Sequence, residues 1–215
     1  LYNDQYKKTS LFASVSFDNT DDFYTPREGM IAALNLEYGQ LDGDDYNATT
    51  YPGGYADILK TSGRVGFYYG LEDWIDYDLI LRLKGRVTTI ASDEDKYLPI
   101  AEKLFLGGIG SVRGYNPYSL SPLDPISNTR TGGKHRASGS VEASIPLSEA
   151  AKMRLAFFYD YGMIGEDNFN DITRSSTGVV LEWQSGFGPI NLVFSYPIDE
   201  QEGDQTAVFE FSMGS

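Results

Sequence analysis

Arg113 stands in the stretch GGIGSVRGY (107–115), between Val112 and Gly114. A guanidinium stays charged at any relevant pH, and its planar fork of donors fits a carboxylate bidentately. The glycines around it permit unusual dihedrals and a close approach of backbone to another surface. An arginine facing water needs no such flanks, although a flexible surface loop is the commoner setting for one. Other reactive side chains are sparse. His135 is the single histidine, with Ser138 and Ser140 near it in sequence, but no nucleophile motif surrounds them and a general base needs an orienting carboxylate. Catalysis is therefore not expected. Without cysteine, a disulfide framework and a thiolate metal site are both excluded. Asp and Glu concentrate in DNTDD (18–22), LDGDDY (41–46), SDEDK (92–96) and DEQEGD (199–204), none with the spacing of an EF-hand, so neither a metal nor a cofactor is expected. Taken singly, each acidic run reads as a hydrated loop.

These residues must be positioned by the elements around them. The 215 residues include 16 Tyr, 12 Phe and 23 Gly, which favours β structure with many turns. A net charge of -14 leaves no basic face to replace phosphate counterions, which argues against nucleic acid as a partner. No apolar run approaches the roughly 18 residues of a membrane helix. The chain opens on LYNDQYKKTS without an initiator Met, and is read as a fragment or mature piece whose upstream part is missing.

Period-two alternation, which places successive side chains on opposite faces of a strand, marks about nine segments. They fall near 9–18, 30–39, 63–72, 79–89, 134–145, 153–162, 177–184, 190–197 and 207–214. In LILRLKGRVTT (79–89), Leu79, Leu81, Leu83 and Val87 share one face while Arg82, Lys84 and Arg86 share the other. The same parity puts Glu142 and Asp160 on polar faces, and Phe209 and Phe211 on the apolar face of the last segment.

Alternation alone suits two architectures. In a soluble sandwich the apolar faces make a shared core; in a membrane barrel they meet lipid and the charged faces line a wet lumen. Connection lengths favour the barrel. Tight turns at 25–29, 72–78, 146–151 and 185–189 alternate with long polar connections near 40–62, 92–133, 165–176 and 198–206, as in an up-and-down barrel with short turns at one end. The C-terminal AVFEFSMGS also presents a long aromatic edge that a soluble sheet would leave open to aggregation. All-β, antiparallel and transmembrane is the expected fold class.

EKLFLGGIGSVRGY (102–115) resembles the sixth external loop of BamA-type barrels, the outer-membrane assembly factors related to TamA and to two-partner-secretion transporters. The VRG[FY] element falls on Val112, Arg113, Gly114 and Tyr115. SFDNTDDFYTPREG (16–29), FFYDYG (157–162) and the final hairpin at 185–214 are similar to family segments in the same order, and the last favours BamA-type barrels over the relatives. The resemblance runs from about residue 9 onward. Ser215 departs from it, because the family usually ends on an aromatic residue soon after the glycine.

The resemblance implies that this chain is the C-terminal nine strands of a sixteen-stranded barrel, with POTRA domains and the earlier strands absent. It implies that the long loop folds back into the lumen, with Arg113 against Glu142 and Asp160. It further implies a weak seam at the terminal strand, where Phe209 and Phe211 stand, that templates incoming strands by β-augmentation; Gly214, with no side chain to pack, suits either a kink in that strand or an ordinary strand end. The implied partners are unfolded outer-membrane protein clients, outer-membrane lipids and periplasmic accessory lipoproteins. A TamA-like or two-partner-secretion transporter is the alternative, and a passive porin a more distant one, since a plugged lumen argues against free conduction.

Overall fold

The computed structural model describes residues 5–43 and 50–213. Nine strands follow one another in a single antiparallel sheet, each paired with its sequence neighbours in the order β1 to β9. They are β1 (Lys7–Asp18), β2 (Glu28–Asp42), β3 (Ile58–Gly70), β4 (Ile80–Ser92), β5 (His135–Ser148), β6 (Met153–Gly165), β7 (Ile172–Ser185), β8 (Gly188–Pro197) and β9 (Phe209–Met213). No described helix is long and apolar enough to cross a membrane, which says nothing of strands.

The register fixes which side chains share a face. Arg82 lies opposite Glu142, Glu142 opposite Phe158, and Phe158 opposite Gly178, so one rung crosses four strands on the polar face. Leu81, Phe157 and Phe211 stand on the other face and remain 40%, 48% and 54% exposed. The buried residues include Arg82, Glu142 and Asp160. The usual order is inverted: polar groups are covered and large apolar groups are bare, which suits an outer surface in contact with lipid. A shared dry core between two apolar faces, as the sandwich requires, is not formed.

What covers the polar face is the connection between β4 and β5, at 93–134. Its Leu98, Leu104, Leu106, Val112, Tyr115 and Leu120 pack with Leu41, Ile58, Ile90 and Ile164, which stand on the inner face where the strands approach the long connections. The apolar core of the molecule thus lies inside the curve of the sheet, between wall and loop.

Several boundaries differ from those read in the sequence. The strands reach further into the polar connections, so β2 begins at Glu28 and ends at Asp42, and β7 begins at Ile172. Those ends carry Gly, Asp, Lys and Thr, which weaken alternation while the backbone ladder continues. Connection lengths consequently do not alternate strictly. The β6–β7 connection, 166–171, is shorter than the turns at 19–27 and 71–79. The latter turn holds a single helical turn, α1 (Glu72–Ile75). β9 starts two residues later than expected, at Phe209, because residues 205–207 pair with the long loop instead. Gly214 lies outside the described residues.

Candidate functional site

Arg113 is held between β5 and β6. Its Nε donates to Asp160 Oδ2 at 2.7 Å and its Nη2 donates to Asp160 Oδ1 at 2.6 Å, a bidentate clasp to which the Arg113 backbone N–H adds a third bond at 3.0 Å. Nη2 also donates to Glu142 Oε1 at 2.9 Å and to Ser140 Oγ at 2.8 Å. The Phe158 ring lies under the guanidinium, 3.6 Å from Cζ to the centroid. Arg113 is 8% exposed, Glu142 3% and Asp160 1%. Buried charges require partners of this quality, because the loss of one member leaves the others desolvated and unpaired at about 3–5 kcal/mol.

The site is larger than one pair. Glu142 Oε2 accepts from Lys84 Nζ at 2.9 Å and from Arg82 Nη1 at 3.4 Å, and Arg82 also pairs with Glu182. Arg82, Lys84 and Arg113 therefore balance Glu142, Asp160 and Glu182, and the cluster is neutral as a whole. It continues toward the short turns. Ser144 Oγ donates to Glu182 and accepts from Arg154 Nε at 3.0 Å, Arg154 pairs with Asp78 at 2.6 Å, and Arg27 donates two bonds of 2.8 Å to Asp78.

The residues beside Arg113 are seated just as tightly. Val112 and Tyr115 are fully buried. A Cβ on Gly162 would stand 2.4 Å from Val112 Cγ2, so the missing side chain of Gly162 is the socket for Val112. Gly114 has φ +89, a conformation side chains disfavour, and a Cβ there would press on Ser195 of β8. Its N–H donates to Glu210 Oε2 on β9 at 3.1 Å, and its carbonyl accepts from the Ala207 N–H at 2.9 Å. Asn116 N–H donates to the Gln205 carbonyl at 2.8 Å, and Tyr115 bridges Thr206. Five consecutive loop residues, 112–116, thereby engage β5, β6, β8, β9 and the segment entering it.

Phe209 and Phe211 lie on the opposite, outer face, where Phe209 packs against Phe194 at 5.2 Å between centroids. They are not part of the Arg113 cluster. His135 does not meet Ser138 or Ser140: the register turns it to the other face of β5, where it stacks on Phe169 at 5.3 Å. Among the described residues no group of three or more His, Asp or Glu stands where a metal ion could be held. Ser140 and Phe158, which touch Arg113, and Arg82, Lys84, Gly162 and Glu210, which hold its partners and neighbours, are not assigned to the loop tip by the sequence. Parity placed several of them on the polar face, but only the path of the loop decides which of them it meets.

Sequence and structure comparisons agree with this architecture. The family model described as Omp85 superfamily domain matches residues 1–215, and the chain belongs to that superfamily. Within it, the chain is 30% identical over 215 residues to the outer membrane protein assembly factor BamA of Nitratidesulfovibrio vulgaris, covering 95% of this chain and 25% of the relative. The Sorting and assembly machinery component 50 homolog of Xenopus tropicalis is 24% identical over 217 residues, covering 92% of this chain and 43% of the relative. Among solved structures, the crystal structure of BamA from Haemophilus ducreyi lacking POTRA domains 1-3 superposes with a TM-score of 0.76 at 22% identity, covering 94% of this chain and 41% of that chain. The chain spans about a quarter of the length of the first curated relative it matches.

Proposed function

We propose that this chain forms the C-terminal part of the barrel of an outer-membrane protein assembly factor, one that helps unfolded barrel proteins fold and insert into the outer membrane. The observation that carries the proposal is the double attachment of the loop tip. Arg113 is clasped by Asp160 and Glu142 on the wall, while the adjacent Gly114 is bonded to Glu210 and Ala207 at the last strand. One loop thus braces β9, the strand at the end of the sheet order. A strand edge of this kind can pair with an incoming strand through backbone hydrogen bonds, with Phe209 and Phe211 presented to lipid. The site performs no covalent chemistry in this reading; its role is to hold the wall and terminal strand in register while a client strand is added. The chain would be preceded by earlier barrel strands and POTRA domains in the complete protein, which would work with unfolded clients, outer-membrane lipids and periplasmic accessory lipoproteins.

A loop packed on the polar face argues against a passive porin. The names of the relatives favour an assembly factor over a secretion transporter. The test is complementation: the full-length gene carrying Arg113→Ala, expressed in cells depleted of their own assembly factor, is expected to lower the yield of folded outer-membrane proteins severalfold with normal membrane levels of the variant. Undiminished yield from the variant, or no complementation by the unmodified gene, would contradict the proposal.

A further inference from the structure

We propose that the cavity between the β3–β5 wall and the long loop binds a small soluble oxyanion of the phosphate class. The cavity has a volume of about 370 Å³ and is lined by Lys60, Ser62, Thr88 and Arg136 from the wall and by Lys103 and Tyr118 from the loop. Register places Ser62 opposite Thr88 and Thr88 opposite Arg136, so two hydroxyls and a guanidinium form one rung, with Lys60 next along β3.

These donors are open. Among the described residues Ser62, Thr88 and Lys60 make no side-chain hydrogen bond, and Arg136 has one, to the Phe105 carbonyl at 2.8 Å. Nearby carboxylates already hold lysines, one of them the cavity-lining Lys103. Glu37, across from Lys60, and Glu102 both bind Lys8 at 2.6 Å, and Glu166 binds Lys103 at 2.9 Å. On the adjoining rung Arg64 lies directly opposite Arg86, whose only side-chain bond among the described residues is to the Gly110 carbonyl at 2.9 Å. Like charges facing one another across a ladder are destabilising. Lys60 faces Glu37 and Lys103 holds Glu166, but among the described residues Arg64, Arg86 and Arg136 make no ion pair, so in a chain of net charge -14 a local surplus of guanidinium charge stands at and beside the cavity.

Hydroxyl, ammonium and guanidinium donors converging from several directions suit a tetrahedral oxyanion with several acceptor oxygens, and charge-assisted bonds of this kind are the strong ones. The cavity opens on the polar face, and Leu59 and Val87 of the same strands point the other way, so a headgroup carried by a bilayer lipid does not reach it. A bound anion would tie wall to loop a second time, away from Arg113.

The test uses the full-length protein in zwitterionic nanodiscs, titrated with inorganic pyrophosphate and, separately, with chloride at equal ionic strength to remove general screening. Two readouts follow binding: the temperature at which the compact, heat-modifiable form is lost, and the rate of tryptic cleavage after Lys103. Pyrophosphate is expected to raise the first saturably and to slow the second severalfold. Arg136→Gln and Lys60→Gln should each weaken the midpoint about tenfold, while Lys152→Gln, in a distant turn, leaves it unchanged. Should Arg136→Gln not reach the compact form, the near-isosteric Thr88→Val carries the same expectation. A response no larger than that to chloride, or one intact in the wall variants, overturns the proposal. Protection seen only in nanodiscs containing anionic lipid overturns the soluble-anion assignment in favour of a headgroup.

Discussion

Arg113 is stabilised by two kinds of contact that a substitution can separate. Lysine keeps the charge but not the planar fork, and cannot hold both Asp160 oxygens while stacking on Phe158. Arg113→Lys is therefore expected to fall between wild type and Arg113→Ala in protection of the loop from protease, with Arg113→Ala costing about 3–5 kcal/mol in unfolding measured by urea titration. Val112 offers a separate test. Gly162→Ala places a methyl 2.4 Å from Val112 Cγ2, without a backbone atom among its nearest neighbours, so it should expel the tip and leave the wall intact. Val112→Ala in the same chain should restore protease protection; failure of the double variant to recover would show that Gly162 serves the strand and not the socket. The contact of Arg113 with Glu142 and Asp160 was implied only by the family resemblance that the VRGY tetrapeptide carries; parity put both carboxylates on polar faces without saying what they meet. Phe158 was not, because it lies between apolar neighbours in FFYDYG and its burial depends on the loop arriving over it.

At the level of elements, nine strands were legible because their alternation is strong over the spans where one face is apolar and exposed and the other polar. Their ends were not, since backbone pairing persists where Gly39 and Asp42 of β2, or Thr173 and Ser175 of β7, no longer obey the pattern. The short turns show how elements are fastened. Asp78, between β3 and β4, receives Arg27 from the preceding turn and Arg154 from the start of β6. Burial pushes its carboxyl upward, but the hydrogen bonds and charges of Arg154 and Arg27 outweigh it, so the pKa is lowered below its ordinary value. A lowered folded pKa means that the unfolded chain binds the proton more readily, so the stabilisation is complete above the unfolded value of about 4 and disappears as pH falls through the folded value. Wild type should thus lose stability relative to Asp78→Asn as pH drops below about 4, measured by the temperature of loss of the compact form; parallel curves for the two proteins would remove Asp78 from the account. The pairing of residues 205–207 with the long loop left no trace in the sequence, because it depends on partners distant along the chain.

Along its strands the molecule is inverted relative to a soluble sheet, with Arg82, Glu142 and Asp160 enclosed and Leu81, Phe157 and Phe211 outside. Substituting the outward Leu83 by Arg should cost about 2–4 kcal/mol near the bilayer midplane, whereas Ser14→Arg on the polar face should fall within about 0.5 kcal/mol, both read by urea unfolding in lipid vesicles. Equal costs at the two positions would contradict the inversion. The central claim is that the loop tip, held by Arg113, is joined to the segment that enters the last strand. Cysteines at Asn116 and Gln205, which are backbone-bonded at 2.8 Å, test this most directly in the full-length protein in intact outer membranes. The account predicts a disulfide that forms readily under mild oxidation and is largely lost when Arg113 is also replaced by Ala; absence of the cross-link, or its equal formation without Arg113, would contradict it.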